Sequence, residues 1–156
     1  MEHLLVLSGD HAYMMDYNFL MDYHLENDAD VTLVVTQVKP EDRSRFGILE
    51  IDDWNRVIGF EEKPSQPKTN LAFMGIYVFR LEFLIECLQK NARESKYDLV
   101  HNVIIENLNS VKIKVFFFHD CWFDIGTIKA YWEANMHLLE PLPCFNLYDP
   151  NWVIYT

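Results

Sequence analysis

The chain has 156 residues, half of them hydrophobic and 15% aromatic, which suffices for one domain with a sizeable core and excludes a disordered chain. Its 24 acidic against 13 basic residues give a formal charge of -11, which excludes the basic stripe of a nucleic-acid binder and docking on anionic lipid. An anionic small substrate stays open, because a bound divalent cation reverses the local field.

Leu4–Ser8 is a short apolar run that reads as a buried strand, with Gly9-Asp10 as the loop at its end. Tyr17, Leu20, Met21 and Leu25 recur at helical spacing, and Val31–Val38 is a β-branched strand. Pro40-Glu41-Asp42 starts a short helix, with acidic residues where the helix dipole favours them. Gly47–Asp52 and Val57–Glu62 flank a polar turn and predict a hairpin. Met74–Phe79 reads as a strand, and Leu81, Leu84, Ile85 and Leu88 as one face of an amphipathic helix. Residues 97–108 predict a further helix, Lys112–Phe118 a strand, and Ile128, Tyr131, Trp132, Asn135 and Leu139 a closing helix. Strands alternating with helices around one hairpin predict an α/β layered domain with a mixed sheet and helices on both faces.

No apolar run reaches the ~20 residues of a membrane span. Cys87, Cys121 and Cys144 fit no zinc template, and we expect free thiols in a reducing cytoplasm. His3, His24, His101, His119 and His137 have no partner at metal-ligand spacing, whereas His11 sits beside Asp10. The last fifteen residues, with Pro143, Pro150 and no periodicity, read as an extended connector, so we expect a piece of a longer protein.

Three segments could carry chemistry. Gly9-Asp10-His11 follows the first strand, where open α/β sheets bind ligands; Asp10 there either ligates Mg²⁺ or shapes a turn or a helix cap. Glu61-Glu62-Lys63-Pro64 offers an ammonium suited to a phosphate and a carboxylate suited to sugar hydroxyls, or else a solvated charged edge. In Trp122-Phe123-Asp124-Ile125-Gly126-Thr127, Asp124 is either a second metal ligand or, like Thr127, a helix N-cap, and Gly126 shapes the turn.

The order of these segments is more specific than any one of them. Residues 5–17, Ser44-Arg45-Phe46-Gly47-Ile48, residues 57–64, residues 71–79, residues 122–127 and Asn146-Leu147-Tyr148-Asp149-Pro150-Asn151-Trp152 resemble, in order and nearly end to end, blocks of the glucose-1-phosphate adenylyltransferases (ADP-glucose pyrophosphorylases). The resemblance implies a partial Rossmann-like nucleotidyltransferase domain over residues 1–140, the sugar-phosphate part. It also implies a connector over 141–156 toward a left-handed β-helix. It implies transfer of an adenylyl group from ATP to glucose 1-phosphate, releasing pyrophosphate and giving ADP-glucose for glycogen or starch. By position, Asp10 and Asp124 would hold Mg²⁺, with Asp10 and Lys63 catalytic. Glu62 would bind glucose hydroxyls, Lys63 the glucose phosphate, Gly47 would let the backbone approach the sugar, and Tyr77 would line the same pocket. The parent would be a cytoplasmic homo- or hetero-tetramer with neither nucleic acid nor membrane as partner.

The family's Gly-rich loop and adenine-reading part precede the first of these blocks, so the chain by itself is expected to be inactive. Met14, Phe73, Phe123 and the pair His101-Asn102 depart from the pattern. Phe73 stands for a small polar residue, usually Ser, at the sugar site, which raises two alternatives: a non-catalytic regulatory subunit, or a related transferase using another nucleoside triphosphate.

Overall fold

The structure is a computed structural model and describes residues 2–150, 152 and 153. Part of the expected connector, Asn151 and residues 154–156, lies outside the described residues. The chain folds as two compact units, one of Tyr17–Phe118 with the residues up to Ser8, the other of Gly9–Asp16 with the residues from His119 on.

The first unit is built on a mixed six-stranded sheet. Its strands are β1 (His3–Val6), β3 (Val31–Gln37), β4 (Gly47–Ile51), β5 (Val57–Glu62), β6 (Leu71–Arg80) and β7 (Ile113–Phe117). The order runs β5-β4-β6-β3-β7, with β1 also on β6. β3 pairs antiparallel with β6 and parallel with β7, and its residues 31–35 are all buried, a Val- and Leu-rich run interrupted only by Thr32, as suits a central strand. The β4–β5 turn is closed by Asp52, whose Oδ1 accepts the Trp54 and Arg56 N–H groups at 2.9 Å each.

β6 is longer than Met74–Phe79 and carries a bulge. Leu33 pairs with Tyr77 but Val35 with Phe73, so two extra residues sit on β6, where Gly75 takes φ 67°. Four strand residues ordinarily span about 13 Å. The bulge folds that length up and brings the Phe73 and Tyr77 rings to 4.8 Å between centroids.

The helices keep only part of their predicted faces. α1 (Tyr17–Glu26) buries Leu20 and His24 and leaves Leu25 half exposed. α2 (Leu81–Arg93) turns Leu84 inward, with Phe83 and Cys87 packed against the core, while Ile85 and Leu88 stay exposed. The helix predicted over 97–108 is broken into a π turn at Val100–Ile104 and a 3₁₀ turn at Ile105–Asn107. Side chains compete for its backbone there: Asp98 accepts the His101 N–H at 2.6 Å and Asn102 the Asp98 N–H at 3.1 Å.

His24 has a definite role in this unit. Its imidazole is fully buried, with Nδ1 2.8 Å from Thr32 Oγ1 and Nε2 3.1 Å from His3 Nδ1. Burial, helped by the charges of His3 and Arg80 and opposed by Asp30 and Asp28, lowers its pKa to about 4. The folded state therefore takes up the His24 proton later than the unfolded chain, whose histidine titrates near 6.5. Stability contributed by this group is present above pH 6.5 and is lost as pH falls toward 4, by on the order of 3 kcal/mol. Urea titrations at pH 7 and pH 4 are expected to show that loss in the wild type and a smaller one in His24→Gln.

The second unit holds β2 (His11–Tyr13), β8 (Trp122–Asp124) and α3 (Ile128–His137). β2 and β8, neither of them predicted, pair antiparallel with His11 opposite Asp124 and Tyr13 opposite Trp122. Only Ala134 of α3 is buried; Ile128, Tyr131 and Trp132 of the predicted face are exposed. Cys121 and Cys144 form a disulfide, which corrects the expectation of three free thiols; Cys87 alone stays free. The chain reversal after α3 carries Cys144 back to the residue preceding β8, across 23 positions of sequence. Among the described residues no helix is long and apolar enough to cross a membrane.

Candidate functional site

In the second unit the β2–β8 ribbon places Asp10 and Asp124 together. Asp10 immediately precedes β2 and Asp124 ends β8, and the Asp10 carbonyl accepts the Ile125 N–H at 3.0 Å. One ligand atom each from Asp10, His11 and Asp124 lies within 4.8 Å of the others. His11 Nε2 is 3.4 Å from Asp10 Oδ1, and its Nδ1 is buried without a hydrogen-bond partner.

The helix-cap readings of these carboxylates fall away on local grounds. The N-cap of α3 is Thr127, whose Oγ1 accepts the Ala130 N–H at 3.1 Å, so Asp124 does not cap that helix. β2 follows Asp10 directly and the next helix starts only at Tyr17, so Asp10 caps none either. Two carboxylates are hard oxygen donors and suit Mg²⁺.

Gly126 belongs to this group, which its sequence context did not indicate. Its N–H donates to Asp124 Oδ1 at 2.9 Å. A Cβ on Gly126 would stand 3.0 Å from Asp124 Oδ1 and 3.3 Å from Asp10 Oδ2. The absent side chain is thus what lets both carboxylates close over the turn. Gly9, by contrast, has nothing within 4 Å of an added Cβ.

In the first unit the β4–β5 hairpin and β6 gather Gly47, Glu62 and Tyr77. Gly47 pairs with Glu62 across the hairpin. A Cβ on Gly47 would meet the Phe60 ring at 2.6 Å and Glu62 Oε2 at 3.1 Å, so glycine is demanded there by the neighbouring side chains. The Tyr77 hydroxyl is pushed up to about pKa 12, first by burial and then by the negative charges of Asp98 and Glu62, and it stays a proton donor. Lys63 ends the strand at φ 46° with its N–H donated to the Phe46 carbonyl at 3.1 Å; its Nζ lies 3.6 Å from Glu62 Oε1.

The departures from the expected pattern have packing roles. Phe73 is buried, its ring edge-on to Phe60 at 5.8 Å and to Tyr77 at 4.8 Å, so its bulk is absorbed in the core. Phe123 packs edge-on against His137 and Phe145. Asn102 is buried, its carbonyl accepting from Asn91 Nδ2 at 3.3 Å.

Residues 1–141 match the model of the nucleotidyl transferase family. The chain belongs to that family. Similar relatives are the glucose-1-phosphate adenylyltransferases of Thermotoga neapolitana, 49% identical, and of Thermotoga sp. (strain RQ2), 47% identical; each match covers 99% of this chain. That of Lachnospira eligens is 45% identical over the same share. The chain spans 38% of the length of the Thermotoga proteins and 37% of the Lachnospira one. Nucleotidyl transferases of this family generally use a divalent metal.

Proposed function

We propose that this chain is the sugar-phosphate part of a glucose-1-phosphate adenylyltransferase, the enzyme that joins ATP and glucose 1-phosphate into ADP-glucose and pyrophosphate. The observation that carries the proposal is the convergence of Asp10 and Asp124, 114 positions apart in sequence, on one ribbon with Gly126 cleared beneath them. Residues 1–140 belong to the catalytic domain and 141–156 lead toward a further domain, in keeping with a chain that covers 38% of its relatives.

Asp10 and Asp124 hold Mg²⁺ in this reading. When bound there, the ion supplies charge neutralisation to phosphate oxygens as the sugar phosphate attacks the α-phosphorus of ATP. Glu62 accepts hydrogen bonds from the glucose hydroxyls and Lys63 holds the sugar's phosphate by charge. Tyr77, kept protonated, donates a hydrogen bond in the same pocket, and Gly47 keeps the backbone low against the Phe60 ring. No side chain forms a bond to substrate; positioning and fixed charge lower the barrier. In this reading the enzyme works in the cytoplasm and assembles as a homo- or hetero-tetramer.

The test is an assay of the full-length protein with glucose 1-phosphate, Mg²⁺ and each of ATP, UTP, GTP and CTP. Pyrophosphate release with ATP above the other three is expected. Preference for another triphosphate would move the protein to a neighbouring branch. Inactivity with all four, rescued only by a partner subunit, would make it a regulatory chain.

A further inference from the structure

We propose that Cys121, His137 and Cys144 form a zinc site in the dithiol form of the protein. One ligand atom from each lies within 4.8 Å of the others. They come from three segments of the second unit: Cys121 just before β8, His137 at the end of α3, and Cys144 in the stretch that follows. Tetrahedral zinc, with Zn–S of about 2.3 Å and Zn–N of about 2.0 Å, sets its ligand atoms roughly 3.5–3.8 Å apart. The two sulfurs are bonded in the disulfide, so its reduction lets them part to that spacing, with His137 already within reach.

Two further observations favour a metal. His137 Nδ1 lies 3.0 Å from Glu140 Oε1, which leaves Nε2 for a metal. A ligating histidine characteristically donates its other ring N–H to such a carboxylate, which fixes the tautomer and raises ligand basicity. The ring is also held edge-on by Phe123 at 5.3 Å between centroids, and Phe123 meets Phe145, the neighbour of Cys144. Cys121 and Cys144 line a cavity of about 250 Å³ together with Asp120 and Asp149. Water or a carboxylate completes the tetrahedron there.

The donor set separates this site from the one at Asp10 and Asp124. Two thiolates and an imidazole select zinc over Mg²⁺, whereas carboxylates select the reverse. On binding, the two thiols each release a proton and the imidazole binds neutral. The disulfide form must first take up two electrons and two protons, both from a pair of thiols or, with a phosphine that becomes its oxide, the electrons from phosphorus and the protons from water, so disulfide and zinc exclude one another. Either state ties the segment after α3 to the start of β8, the strand that ends in Asp124. The site uses no residue assigned to nucleotidyl transfer and stands whether or not that assignment holds.

The full-length protein, reduced with a phosphine and freed of excess reductant, is titrated with Co²⁺ and then with Zn²⁺ against a chromophoric chelator. A thiolate-to-cobalt charge-transfer band that zinc displaces is expected. The band should be lost in Cys121→Ser and in Cys144→Ser, and absent from the oxidised protein. Glu140→Gln should retain the band while weakening zinc binding roughly 10–100-fold. Circular dichroism of each variant separates ligand loss from unfolding, and the oxidised wild type serves as a folded control without mutation. No band in the reduced wild type, or an undiminished band in folded Cys144→Ser, overturns the proposal.

Discussion

Asp124→Asn in the full-length protein is expected to lower kcat for adenylyl transfer by roughly 10²–10³-fold, the scale of losing one fixed electrostatic group at a reacting centre. Asparagine keeps the size of the side chain and still offers Oδ1 to the Gly126 N–H, so the turn before α3 keeps its hydrogen bond. What is removed is one negative charge from a pair whose oxygens converge with His11 within 4.8 Å. Asp10→Asn should behave alike, and both variants should need more Mg²⁺ for half-maximal rate. Gly126→Ala separates geometry from charge. Both carboxylates remain, but the new methyl stands 3.0 Å from one and 3.3 Å from the other and must push them apart by a few tenths of an ångström. A Mg²⁺ requirement raised about tenfold, with stability changed by less than about 1 kcal/mol, is the expected result. Rate measurements across a Mg²⁺ series read all three variants. Full activity of both asparagine variants at low Mg²⁺ would remove the carboxylates from the metal.

The central strands were legible because burial on both faces leaves a plain signature. Val31–Val35 is apolar but for Thr32, and the β4–β5 hairpin follows from two strand-like segments flanking the polar turn Asp53-Trp54-Asn55-Arg56. β2 and β8 were not legible, since three residues carry no period, and their pairing is made by long-range register alone. The convergence of Asp10 with Asp124 lies in that register, so local pattern could raise each aspartate as a candidate but could not join them. Periodicity placed the buried face of α2 on Leu81, Leu84, Ile85 and Leu88; Leu84 does turn inward, but Phe83 and Cys87 join it there while Ile85 and Leu88 stay exposed. The stripe of apolar residues there is wider than the strip the sheet can cover. His24 and the pair Cys121–Cys144 escaped for a different reason. Their partners, Thr32 and His3 for the one and each other for the second, are set by tertiary contact rather than by spacing.

Lys63→Gln is expected to raise KM for glucose 1-phosphate by roughly 10–100-fold, the ~1.5–3 kcal/mol of a charge-assisted contact, while KM for ATP stays within about twofold. The argument starts from backbone strain. Lys63 takes φ 46°, a left-handed conformation uncommon for a side chain this long, and Pro64 follows it. Such a conformation costs on the order of 1–3 kcal/mol and persists where the surroundings impose it. Here the Lys63 N–H is held by the Phe46 carbonyl at 3.1 Å, at the open end of the hairpin. The neighbouring carboxylate does not offset that cost, because both side chains of the Glu62–Lys63 pair are more than half exposed and such pairs contribute little to stability. The strain therefore has its return in where the ammonium is carried, at the end of β5 beside Glu62. Lys63→Gly tests this directly. Glycine adopts positive φ without penalty, so the variant should melt no lower than Lys63→Gln while raising KM for glucose 1-phosphate by the same factor. Thermal melts and steady-state kinetics on the two variants give the answer together. An unchanged KM for the sugar phosphate in both would mean that Lys63 serves the hairpin and not the substrate.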